Sequence, residues 1–202
     1  IEIDSQTTKF ILNKTVWCAS STHNSEEKFV GLVHNKLKKK YKNLLTVIIP
    51  RHIDREKQIK SQLSNLGLKI HVHEPKTKIH QDTDIYLVNT FGKTKSFYSL
   101  VKNVFLGGSL IKHGGQNPLE AVRYNCNILY GPNVSNFDEI YKFLNKQKIS
   151  KKIFNLNQTI NVLDKLFASK KAQKNIKSRI NAIGQKVLEK NIKEINLILN
   201  KV

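Results

Sequence analysis

The sequence predicts an α/β fold, a parallel sheet with helices on both faces, and three observations predict it. Apolar runs of strand length recur between Thr15 and Tyr130. Between them lie segments whose apolar residues return at three- and four-residue spacing, the mark of helices. Gly, Pro, Ser or Asn punctuates most of the changes from one pattern to the other. Strands separated by helices in this rhythm pair in parallel, and right-handed crossovers bring the loops that follow the strands to one rim, where ligands bind. The expected architecture is therefore Rossmann-like.

Taken in order, residues 1–14 show no clear period and read as a linker or lead-in segment. Thr15–Ala19 (TVWCA) reads as a buried strand, and SSTHNSEE after it as a turn with cap-type residues and early acids. Glu26–Tyr41 carries Phe29, Val30, Val33 and Leu37 at helical spacing. Leu44–Ile49 is a second strand, stopped by Pro50. Asp54–Leu66 is a helix with Ile59, Leu63 and Leu66 on one face, closed by Gly67. Leu68–His73 and Asp84–Val88 are the third and fourth strands. Ser96–Val101 is a short helix, Asn103–Leu106 a fifth strand and Asn117–Tyr124 a helix. Ile128–Tyr130 is a sixth strand and Phe137–Leu144 a helix. The Rossmann-like domain is thus expected over residues 15–150. Residues 151–202 read as C-terminal helices packing on that domain or on a neighbour, with Ile176, Ile180, Ile183 and Val187 as one apolar stripe among lysines. A basic amphipathic surface for acidic lipid is the alternative reading of that stripe.

At 202 residues and 39% apolar composition the chain can bury a proper core, which excludes wholesale disorder. It has 35 Lys and Arg against 15 Asp and Glu, a formal charge of +20. Such a surface draws anions, whether nucleic acid, acidic lipid or a phosphorylated substrate. The joint abundance of Lys, Asn and Ile explains the charge equally well as decoration of a solvated face. The sequence starts at Ile1 and contains no methionine, so a piece of a longer protein, or a processed one, is expected. Cys18 and Cys126 lie far apart with no CxxC spacing, which points to a reducing compartment and away from a zinc site or a disulfide framework. No apolar run approaches the ~18–20 residues of a membrane span, and no signal peptide is recognisable.

The stretch richest in chemistry is Gly107–Glu120 (GGSLIKHGGQNPLE), which follows a strand, carries two glycine pairs and opens a helix. Asn117 suits an N-cap and Pro118 a first helical position, so the helix would begin with free N–H groups aimed at the glycine loop. Gly108, Gly114 and Gly115 would let a ligand approach the backbone closely. Together these features suit phosphate. Glu120, three residues after Asn117, either closes a capping box or accepts hydrogen bonds from ribose hydroxyls. Pro50, Arg51 and His52 follow the second strand, where an arginine can grip phosphate or carboxylate in fork geometry. Asn89–Lys93 (NTFGK) follows the fourth strand, and Ser21, Thr22 and His23 the first. Four such loops on one sheet edge read as a single cleft. Two patterns are discounted as metal sites: Asp82-Thr83-Asp84 precedes a strand instead of following one, and His71 and His73 lack a third ligand nearby.

As a set, SSTHNSEE, IPRHIDR, NTFGK, FLGGSLIKHGGQNPLEA and YGPNVSNFDEI resemble the transferases of 3-deoxy-D-manno-octulosonic acid (Kdo) in lipopolysaccharide synthesis, from about Val16 to Ile140. The resemblance implies the C-terminal, donor-binding half of a GT-B glycosyltransferase, needing no metal and no cofactor. It implies that the donor is CMP-Kdo and the acceptor a lipid A precursor at the cytoplasmic face of the inner membrane, whose anionic surface becomes a partner. Nucleic acid is then not an expected partner. By the same resemblance Pro50 and Arg51, then Phe91, Gly92 and Lys93, then Asn117, Pro118, Leu119 and Glu120 match the family's CMP contacts. Ser21, Thr22, His52, Gly108, Gly114 and Gly115 are supporting candidates. No catalytic residue is expected in this chain, since the family's general base is a glutamate of the N-terminal domain. Two departures stand out: the family's usual DTMGE is NTFGK here, with Asn89 and Lys93 in place of acids, and Gln116 replaces a histidine. Alternatives are another GT-B transferase with a different nucleotide sugar, a basic nucleic-acid-binding module, and a degenerate relative with a purely structural role.

Overall fold

The structure is a computed structural model, and it describes residues 3–169. Residues 1–170 form one compact unit; the second unit, 171–202, lies outside the described residues, and with it the Ile176–Val187 stripe. Among the described residues seven strands form one sheet: β1 (Thr15–Thr22), β2 (Leu44–Pro50), β3 (Ile70–Val72), β4 (Ile85–Leu87), β5 (Asn103–Leu106), β6 (Asn127–Tyr130) and β7 (Ser150–Lys152). All pairings are parallel, in the order β3-β4-β2-β1-β5-β6-β7. The α/β expectation holds.

The helices are α1 (Ser5–Leu12), α2 (Glu26–Leu37), α3 (Glu56–Ser64), α4 (Thr94–Leu100), α5 (Leu119–Arg123), α6 (Asp138–Lys146) and α7 (Leu156–Ala168). Strand β1 shows how they divide between the faces, because successive side chains of a strand point to opposite sides. Trp17 and Ala19 join Val30, Val33, Ile59, Leu63 and Leu163 in the main core, under α2, α3 and α7. On the other side the Ser20 hydroxyl accepts a 2.8 Å hydrogen bond from Tyr98 of α4, which lines that face with α1 and α5. All seven residues of β2 are buried, as a central strand covered on both faces requires.

Several elements depart from the sequence reading. The stretch read as aperiodic contains α1: Asp4 caps it by accepting from the Thr7 amide at 2.9 Å, and Phe10 and Ile11 are buried. Strand β7 was not anticipated, because two of its three residues are exposed lysines and only pairing with β6 defines it. Helix α5 starts at Leu119, with Pro118 and not Asn117 in the cap position; the Asn117 side chain still accepts from the Leu119 amide at 3.0 Å. Helix α7 packs on α2, where Asp164 takes hydrogen bonds of 2.6 Å from both Lys40 and Tyr41.

The residues discounted as metal ligands have structural partners. Asp84 is buried, ion-paired with Lys38 and hydrogen-bonded to His34 at 3.3 Å, and accepts from the Lys69 amide at 2.9 Å. Burial alone would raise its pKa, but His34, Lys38 and the amide outweigh it and hold the carboxyl well below the usual range. His73 hydrogen-bonds the Tyr86 hydroxyl at 2.6 Å, and His71 stacks on the same ring.

Candidate functional site at the carboxyl edge of the sheet

Successive connections leave β1 in opposite directions, to β2 on one side and eventually to β5 on the other. The crevice outside the carboxyl ends of β1 and β5 is the kind of switch point where open α/β sheets bind ligands. Here the two chains run very close: the Gly107 amide donates to the Ser20 carbonyl at 2.8 Å. A Cβ on Gly107 would lie 2.3 Å from the Ser21 carbonyl oxygen, so only glycine fits.

The central group of the crevice is Glu26, the first residue of α2. Its buried carboxylate accepts four backbone N–H groups: those of His23 at 3.0 Å and Gly108 at 2.8 Å on Oε2, and those of Ser109 at 3.2 Å and Leu110 at 3.0 Å on Oε1. Burial pushes its pKa up while the four amides pull the other way. The next residue, Glu27, is equally buried and receives both guanidinium nitrogens of Arg55, at 3.0 and 3.2 Å. The first glycine pair therefore does not present empty amides to a ligand: the Gly108 N–H is already taken by Glu26. This corrects the expectation of an open anion loop there. A signal was present in the sequence. Glu26 continues the Val30, Val33, Leu37 stripe toward the N-terminus, at positions i, i+4, i+7 and i+11, so it lies on the buried face.

Above this clamp stand three histidines. The His23 ring lies 4.2 Å from that of His113 and 5.8 Å from that of His52. His23 is 7% exposed; its Nδ1 faces the Ser21 carbonyl at 3.0 Å, while its Nε2 is buried with no hydrogen-bond partner. Burial first, then His113, lowers its pKa to about 4, and Arg51 and His52 act in the same direction. The loop that carries it is strained, since Ser21 and Ser25 adopt φ of 54° and 75°. A Cβ on Gly108 would sit 3.2 Å from both His23 and His113 and 3.4 Å from the Gln116 amide nitrogen, so Gly108 forms the floor of this cluster.

The predicted site residues fall into three groups. Pro50 ends β2, and the Arg51 amide donates to the Thr22 carbonyl at 2.9 Å, which ties the β1 and β2 loops together. The Arg51 and His52 side chains are exposed at that rim. Phe91 is exposed, Gly92 has a φ of 75°, and Lys93 precedes α4; the loop is anchored by Asn89, which donates to Glu56 at 2.8 Å. Glu120 does not fold back onto Asn117. It pairs instead with Lys95 of α4 at 3.8 Å, linking the β4 side to α5. Gly114 and Gly115 pack on Asn136 and Val134. A hollow of about 700 Å³ opens between the β5 and β6 loops, lined by Lys112, His113, Gly114, Asn133, Ser135 and Asp138 among others. Of the residues named from sequence it takes in Gly114. His23, His113 and Glu26 were not named as site residues.

Comparison with known proteins decides the relationship. A crystal structure of the C-terminal CMP-Kdo binding domain of WaaA from Acinetobacter baumannii matches 89% of this chain and 94% of its own, with a TM-score of 0.79 and 25% identity. The 3-deoxy-D-manno-octulosonic acid transferases of Haemophilus influenzae and Rickettsia prowazekii are 29% and 32% identical over 190 and 188 residues. Over most of its length the chain is similar to the Kdo transferases. It spans 44% and 39% of the length of those two relatives. No family model matches it. The Kdo transferase resemblance read from the motifs and the fold expected of the C-terminal half of a GT-B enzyme are thus both borne out.

Proposed function

We propose that the chain is the donor-binding domain of an inverting glycosyltransferase that moves Kdo from CMP-Kdo to a lipid A precursor. The observation that carries this reading is the match over nearly the whole fold to a CMP-Kdo-binding domain. The crevice chemistry supports it. Arg51 stands exposed at the end of β2, beside the β1 loop, where its guanidinium would pair with the CMP phosphate. Pro50, Phe91, Gly92, Lys93, Asn117, Pro118 and Leu119 complete the proposed nucleotide contacts, and the Glu120 carboxylate would take the ribose hydroxyls in exchange for Lys95.

In the transfer, an acceptor hydroxyl attacks the anomeric carbon of Kdo and CMP leaves as an anion. Arg51 stabilises the charge that develops on the leaving phosphate. The acceptor hydroxyl loses its proton to a general base that this reading assigns to an N-terminal domain, so the isolated chain binds CMP without transferring Kdo. Among the described residues no helix is long and apolar enough to cross a membrane. The reading places the enzyme on the cytoplasmic face of the inner membrane, with part of its +20 charge toward acidic lipid.

Calorimetric titration with CMP, UDP and GDP tests the assignment. Binding of CMP in preference to the other two, weakened at least tenfold by Arg51→Ala (about 1.4 kcal/mol), is expected. Equal or stronger binding of UDP or GDP refutes it.

A further inference from the structure

The buried Nε2 of His23 has no partner, in a crevice where the backbone N–H groups of His23, Gly108, Ser109 and Leu110 are all taken up by Glu26. We infer that His23, flanked by His113 and His52, is a direct contact for a phosphate group, and that one proton enters the crevice from solvent when the phosphate binds. The inference rests on the donor-binding reading and extends it to a residue to which the resemblance gives no CMP contact.

The argument starts from the tautomer. Nδ1 lies 3.0 Å from a carbonyl oxygen, which can only accept, so Nδ1 carries the ring proton and a neutral His23 presents a bare lone pair at Nε2. The groups facing the ring are His113 from the β5 loop, His52 and Arg51 from the β2 end, and the Glu26 carboxylate, 3.8 Å from Nδ1. Burial first, with His113, His52 and the Arg51 guanidinium beside it, keeps the ring neutral before ligand arrives. The two Glu26 oxygens are committed to four amides, so Glu26 leaves the His23 Nε2 without a partner.

A dianionic phosphate cannot rest against a lone pair. Contact requires a proton between phosphate oxygen and Nε2, whichever atom holds it more tightly, and at pH 7.5 neither partner brings one. The Arg51 guanidinium, which disfavours a second positive charge on His23 in the empty site, becomes a partner of the phosphate once it is present. Gly108 packs directly against the His23 and His113 rings, where a Cβ would come within 3.2 Å of both, and the positive φ at Ser21 and Ser25 belongs to the turn that carries His23.

The test is calorimetry of CMP binding at pH 7.5 in two buffers of different ionisation enthalpy, on the native chain and on His23→Asn. Asparagine keeps a donor for the Ser21 carbonyl and removes Nε2. The native chain is expected to take up a proton with CMP and none with cytidine, and its affinity for CMP to fall by up to about tenfold per pH unit above 7.5. In His23→Asn both the uptake and the pH slope should vanish. Equal proton counts in the two proteins, or no uptake by the native chain, overturn the inference while leaving the donor reading intact. If CMP fails to bind at all, it is the donor reading that fails. Inorganic phosphate then tests the histidine separately, on the native chain: it should move the His23 ring ¹⁵N resonances toward imidazolium, and unmoved resonances overturn the inference.

Discussion

Replacing Glu26 with glutamine should unfold the protein more readily by an amount out of proportion to a one-atom change. Each carboxylate oxygen accepts two backbone N–H groups, so a glutamine in either orientation turns an NH₂ toward two buried amides. Two donors lose their acceptor and meet another donor instead. At about 1–3 kcal/mol for each buried group left unsatisfied, the loss is roughly 2–6 kcal/mol, with about 3 kcal/mol expected once the loops relax. For a chain of this size that corresponds to a fall in Tm of roughly 6–12 °C. Urea unfolding followed by circular dichroism measures the change, with Glu139→Gln, on the exposed side of α6, as a control expected within about 0.5 kcal/mol of the native chain. A Glu26→Gln variant as stable as that control would mean that the clamp does not exist as described.

Two further outcomes follow from backbone packing and from the buried histidines. Gly107→Ala should cost about 1–3 kcal/mol or more, because the new Cβ meets the Ser21 and Thr22 backbone, which cannot rotate away. Gly31→Ala should be milder, since its contacts are the ends of Leu63 and Leu66 and the helix itself gains from alanine; a reversed order in urea midpoints refutes the packing argument. Acidification should weaken the fold between pH 6.5 and about 4. A histidine whose folded pKa is depressed, as His23's is, binds its proton more readily when unfolded, so its contribution is present above 6.5 and lost as pH falls through the folded value. His71 and His73 shift the same way, chiefly by burial. The His23 share is about 1–3 kcal/mol after allowance for solvent screening, and a flat stability profile over that window, measured by urea unfolding, contradicts the burial of these rings.

Most of the sheet was legible because its central strands are unbroken apolar runs. TVWCA and LLTVII lie where β1 and β2 form, and burial on both faces leaves little room for another reading. The elements that were missed are those that long-range pairing defines. Strand β7 has no apolar signature, and α1 is recognisable mainly by its Asp4 cap. The rim of loops after the strands was legible from topology alone, whereas the contents of the crevice were not. Sequence spacing placed acids at the start of α2, where exposed carboxylates are common, and only the approach of the Gly108–Leu110 backbone, more than eighty residues later, turns Glu26 inward. His23 was noticed as a loop residue. Its isolation at Nε2 depends on which atoms surround it, which no pattern along the chain records.

The lysines of β7 bear on how the molecule behaves in a crowded solution. An outermost strand offers unpaired peptide groups to any other strand that drifts alongside, and copies of the same chain are the commonest such visitors. Among the described residues β7 is the outermost strand on its side of the sheet, and Lys151 and Lys152 are exposed there, so a second copy arriving meets ammonium against ammonium. Removing those two charges should therefore matter little to the unfolding of a single molecule and a good deal to how concentrated its solutions can become before they turn cloudy.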